Sequence, residues 1–108
     1  MQKIKFNSEL APKILGGSKK STLRLGVKPI TLGPCQFTTV KGEFIGIYLV
    51  TKIEVVKWQT ILKSKEIAKL EGYKTPYDLR QAIVEIYGEM FEGEDFTLIH
   101  FKQVEWVY

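Results

Sequence analysis

The sequence is poor in the residues that hold metals and cross-links: its 108 residues contain one cysteine, Cys35, and one histidine, His100. A single cysteine makes no internal disulfide, so a disulfide-stapled secreted scaffold is excluded and the composition suits a reducing interior. One cysteine and one histidine also fall short of the three or four nitrogen and sulfur ligands of a zinc site. Metal dependence would have to rest on carboxylates, and no cofactor is expected. Long apolar runs are missing too. The opening residues, Met1-Gln2-Lys3-Ile4-Lys5-Phe6, lack the hydrophobic stretch of a signal peptide, and no later segment approaches the length needed to cross a bilayer. The expectation is a cytoplasmic protein with no membrane partner. Internal repeats and low-complexity tracts are absent as well.

What is present is ordinary for a globular chain. Hydrophobic residues make up 44% and charged residues 26%, far from the low-hydrophobicity, high-charge composition of disordered segments. The length suits a single domain over residues 1–108 with one core. The net charge of +4 is unevenly distributed: residues 1–57 hold ten Lys/Arg against three acids, and residues 58–108 hold six against nine. A basic half attracts phosphate, because each cation that neutralises one releases condensed counterions. A solvated surface of mixed charge is an equally ordinary reading of the same numbers.

The chain opens with lysines alternating with Ile4 and Phe6, the period-two pattern of a strand with one buried face. Ser8 and Glu9 begin a short helical stretch through Ile14 and Leu15 that stops at Gly16-Gly17. Ser21 to Leu25 alternates again, with Leu23 and Leu25 on one face and Thr22 and Arg24 on the other. Gly26 to Pro34 reads as a loop around an extended piece at Lys28 to Leu32. A strand from Cys35 to Val40 then turns at Lys41-Gly42 into a long β-segment, Phe44 to Val56, in which Gly46 suggests a bulge. From Thr60 the spacing becomes helical until Glu71-Gly72. A second helix is announced by Thr75 as N-cap, Pro76 at the first position and Asp78 in the first turn, and it runs to Gly88. An acidic loop from Glu89 to Asp95 leads to closing strand material from Phe96 to Trp106. Strands at both ends, a central hairpin and inserted helices predict a mixed sheet curled into a small barrel, with the terminal strands as neighbours.

The segment from Ile14 to Arg24 packs three cations, three hydroxyls and two glycines into eleven residues. Glycine lets the backbone approach a ligand closely, and lysine with arginine can hold an anionic or carbonyl-bearing group. The spacing does not match a phosphate-binding Walker loop. As chemistry alone, a basic turn after a helix is also a common surface feature. Gly17, Lys19 and Arg24, however, match the G-x-K-x-x-x-x-R motif of the ASCH family, a branch of the PUA-like superfold, and Glu71-Gly72-Tyr73 resembles that family's acidic-glycine-aromatic segment. The closing strand at Phe96 to Phe101 fits the same order.

The resemblance implies an α+β fold, a PUA-like small mixed β-barrel with inserted helices, and a cleft for RNA or a modified nucleoside or nucleotide. It implies nucleic-acid-binding roles for Gly17, Lys19 and Arg24, to which the adjacent cation Lys20 and the aromatic Tyr73 are added as candidates from their own chemistry. Some small ASCH proteins are similar in a further way, deacylating acetylated cytidine through Lys, Thr and Glu, and Lys19, Thr22 and Glu71 stand at the matching places. The chain departs from that pattern at Lys20, in the loop from Gly26 to Pro34 and after Glu71. A threonine becomes a nucleophile when a base takes its proton. Lys19 would be that base if burial and the neighbouring cations favour its neutral form, with Glu71 moving protons or holding the exocyclic nitrogen and Arg24 steadying an oxyanion. Three functions therefore stand: an RNA or nucleotide binder, an amidohydrolase, and a protein-interaction module whose cleft does not work. Elsewhere, Trp58, Tyr73 and Tyr77 could stack on a base or belong to the core, with Tyr73 favoured for stacking. His100 reads as a partnered structural histidine and Cys35 as a small apolar residue.

Overall fold

The computed structural model describes residues 1–104. Its chain order is β1 (Gln2–Phe6), a 3-10 turn (Ser8–Leu10), α1 (Ala11–Leu15), β2 (Ser21–Leu25), β3 (Gly33–Thr39), β4 (Phe44–Lys57), α2 (Trp58–Ile61), α3 (Lys65–Leu70), α4 (Pro76–Tyr87) and β5 (Asp95–Gln103). The strands form one mixed sheet in the order β1-β3-β4-β5-β2, in which only β1 and β3 run parallel. The whole is an α+β fold, a five-stranded half-barrel with short helices.

Two expectations about closure need correction. The terminal strands are not neighbours: β1 pairs with β3, while β5 lies between β4 and β2. With a partner on each side, β5 has no free edge to offer β1. The barrel also stays half open, with β1 and β2 at opposite edges of the sheet. A side chain spans the gap between them, since the Arg24 guanidinium of β2 donates to the Lys5 carbonyl of β1 at 2.8 Å and lies over the Phe6 ring.

Apolar side chains gather in two clusters. Phe37 centres the first, with the rings of Phe6, Tyr48 and Phe101 at 4.8, 4.5 and 4.8 Å between centroids. Trp58, Ile61, Ala68, Leu79 and Ile83 of the helices form the second, against Leu23, Phe96 and Leu98. β5 serves both because its alternating faces are both covered, with Phe96 and Leu98 on one side and Ile99 and Phe101 on the other.

Other boundaries depart from the sequence reading for local reasons. The helix expected from Thr60 is two helices, because Ser64 is extended and its hydroxyl accepts from the Ile67 N–H at 3.0 Å, starting α3 afresh. The loop expected around Lys28 to Leu32 is present, and side chains take its backbone groups: Thr97 accepts from the Lys28 N–H and Gln2 from the Thr31 N–H, both at 3.0 Å. The bulge near Gly46 is present, as the register shifts between Phe37 and Thr38. The cap on α4 is present too, with Thr75 Oγ1 accepting from the Asp78 N–H at 3.1 Å. β5 ends at Gln103, and the expected continuation to Trp106 lies outside the described residues.

Candidate functional site

α1 ends at Leu15, and Gly17, at φ +82°, turns the chain so that residues 18–21 run beside the segment leaving α3. Two backbone bonds fix the approach: the Lys19 N–H donates to the Lys13 carbonyl at 3.0 Å and the Lys20 N–H to the Leu70 carbonyl at 2.7 Å. On the other side Gly72, at φ +87°, comes so close that a Cβ there would lie 3.2 Å from the Ser18 carbonyl oxygen. Only a glycine satisfies both the conformation and the space.

This crossing buries a charged pair. Lys19 and Glu71 are each only 4% exposed, and Lys19 Nζ donates to Glu71 Oε1 at 3.2 Å. The carboxylate is held from two further directions, by the Leu23 N–H to Oε1 at 3.1 Å and by the Ser21 hydroxyl to Oε2. Burial lowers the Lys19 pKa from its ordinary value, against the opposing pull of Glu71, while Arg24 and Lys13 add to the lowering. A buried ion pair contributes little net stability, since desolvation offsets the attraction. Its presence in so small a fold is therefore a pointer to function.

The pair opens onto a cleft of about 160 Å³ lined also by Thr22, Arg24, Phe6, Tyr73 and Tyr87. An apolar cavity of ~150 Å³ is known to take one benzene ring. The space thus fits a single planar ring with its remainder outside. Thr22 is 4% exposed, and its Oγ1 accepts from Arg24 Nε at 3.3 Å. A cationic donor there favours the oxyanion form of the hydroxyl. Arg24 loses pKa to burial, with Tyr87 and Glu71 opposing. Burial and then Glu71 raise the Tyr73 phenol, and the Lys13 ammonium sits 4.2 Å from the centre of its ring.

The predicted residues divide. Lys19, Thr22, Arg24, Glu71 and Tyr73 line the cleft; Gly17 and Lys20 do not, and instead line a second concavity behind the turn, to which Tyr73 also contributes. The bond that the nucleophile hypothesis calls for is not formed here, because Lys19 bonds Glu71 and Thr22 bonds Arg24. Sequence reasoning missed Ser21, although the alternation that buries Leu23 places Ser21 on the same face, where a fully buried hydroxyl needs a partner. It also gave no role to Tyr87, which ends α4 and stands on the cleft wall. Trp58 is buried against Phe96 with centroids 5.6 Å apart, and Tyr77 is exposed away from the cleft. His100 bonds Glu54 at 2.8 Å, and Cys35 is fully buried in the first cluster.

Among the described residues no group of carboxylates, histidine and cysteine could hold a metal ion, and no helix is long and apolar enough to span a membrane. No family model matches the sequence. No curated protein matches it either. Solved structures do match. An ASCH domain from Lactobacillus crispatus JV V101 superposes with a TM-score of 0.77 at 19% identity, over 94% of this chain and 79% of that one. A protein of Enterococcus faecalis V583 assigned to the DUF984 family superposes with a TM-score of 0.71 at 15% identity, over 96% of this chain and 76% of that one. With strand order, turn and cleft already described, these likenesses establish that the chain has the fold of an ASCH domain.

Proposed function

We propose that the protein binds RNA or a nucleotide by taking one base into the cleft above Lys19 and Glu71. The observation that carries this reading is the buried ion pair at the floor of a ring-sized space with aromatic walls. A nucleobase presents both donors and acceptors on its edge, and an ammonium beside a carboxylate can satisfy both. Tyr73 and Tyr87, which line the space, are the rings on which a base would stack, an interaction worth about 1 to 3 kcal/mol per base where it occurs. Binding of a fluorescent RNA hexamer should weaken at least tenfold in Lys19→Met and steadily with added salt. Unchanged affinity in Lys19→Met would remove the cleft from the function and leave the protein-interaction module as the better account.

A second reading, an amidohydrolase acting on acetylated cytidine, is favoured by the convergence of Lys19, Thr22 and Glu71 on one cleft. Thr22 Oγ would attack the acyl carbon as its proton passes to neutral Lys19. The C–N bond would then break, with that proton leaving on the exocyclic amine, and water would cleave the Thr22 ester to release the acid. Lys19 would first have to exchange Glu71 for Thr22 as its partner. Incubation with acetylated cytidine, followed by chromatography, tests it: turnover lost in Thr22→Ala and Lys19→Ala supports the enzyme. Absence of turnover in the unmodified protein rejects this reading.

A further inference from the structure

The concavity behind the turn has about 540 Å³, more than the cleft, and a different character. Lys20, Lys69 and Lys74 line it with Glu66 as its one acid among the described residues, and all three lysines are exposed. None of the three is in an ion pair among the described residues. The two spaces share backbone as well as a wall. Residues 17–20 place Lys19 in the cleft and Gly17, Ser18 and Lys20 in the groove, while residues 71–73 place Glu71 in the cleft and Gly72 in the groove, with Tyr73 lining both. A ligand leaving the cleft past Tyr73 enters a field of unpaired positive charge.

We infer that this groove holds the phosphodiester backbone of a polynucleotide strand whose base occupies the cleft, so that the ligand is a strand and not a free nucleoside. The inference rests on the base-binding reading. It follows from a division of labour: the cleft is the narrower space, with the Lys19–Glu71 pair and the Arg24 guanidinium bonded to neighbouring groups and room for one ring, and the groove offers exposed lysines suited to phosphates. Single-strand binders combine the same two elements, an aromatic platform and a cationic track. Gly17 and Lys20, which lie outside the cleft, are thereby accounted for on the same ligand.

The test compares acetylated cytidine as a free nucleoside with the same residue inside an RNA hexamer, using the unmodified protein and a Lys69→Gln/Lys74→Gln variant. Both lysines are exposed, so the variant should keep the melting temperature of the parent. The hexamer should bind at least tenfold more tightly than the nucleoside at low salt. In the variant that advantage should shrink, the nucleoside affinity should stay, and the slope of log affinity against log salt should become shallower by about 1.4, at ~0.7 per phosphate lost. Equal affinity for both ligands, or a salt slope untouched in the variant, overturns the groove while leaving the cleft in place. If neither ligand binds, both readings fall.

Discussion

Lys19 is in conflict with its surroundings, because burial disfavours its charge while Glu71 favours it. The balance leaves its pKa below 10.5, so between the folded value and 10.5 the unfolded chain binds more protons than the folded one. Over that window the contribution of Lys19 to stability rises with pH. Tyr48 and Tyr73, whose phenols burial pushes up, act in the opposite sense above 10.0, so the comparison must be made against Lys19→Met. Urea denaturation from neutral pH towards 10.5 should show the unmodified protein gaining stability relative to Lys19→Met. A difference independent of pH would mean that Glu71 fully offsets the burial. At this scale the sequence was informative through its resemblance to the ASCH motif, since the basic turn read as chemistry alone was an ordinary surface feature. Lys19, Thr22 and Glu71 converge from 52 positions apart. Ser21 and Tyr87 were passed over because each also suits an ordinary strand or helix, and their roles arise from what lies opposite them.

At the scale of elements, the site depends on two turns more than on any strand or helix. Gly72 lets the segment after α3 pass against the Ser18 carbonyl in a left-handed conformation. Gly72→Ala should cost about 1 to 2 kcal/mol from conformation, and should also push the Lys19 and Glu71 segments apart. Both a lower melting temperature and weaker RNA-hexamer binding are expected, whereas Gly42→Ala, at a hairpin turn with open space around it, should lower stability alone. Equal loss of affinity in the two variants would sever the turn from the site. Element types were legible because capping and alternation are local: Thr75, Pro76 and the lysine-isoleucine alternation of β1 speak for themselves. Strand neighbours were not, because pairing of β1 with β3 spans residues whose patterns suit several partners. The hydroxyl of Ser64 was a readable start signal for α3 that the apolar spacing on either side concealed.

Across the whole molecule, β5 joins what would otherwise be two separate apolar layers. Loss of packing in one should therefore be felt in the other. Phe37→Leu, in the cluster remote from the helices, should lower stability by about 1 to 3 kcal/mol. Made in a Trp106→Phe background, it leaves Trp58 as the reporter of the helical cluster, and its fluorescence transition should shift together with the far-ultraviolet circular dichroism. Separate transitions would show that the layers unfold independently.

The bridge from Arg24 to Lys5 carries a mechanical consequence. Two strand edges stitched by a guanidinium can part without unzipping a ladder of amides, so this flank of the half-barrel is the compliant one. The same guanidinium holds the Thr22 hydroxyl at the cleft wall. An incoming ring that displaces it would loosen the seam and widen its own entrance in one movement, coupling occupancy of the site to the breathing of the sheet.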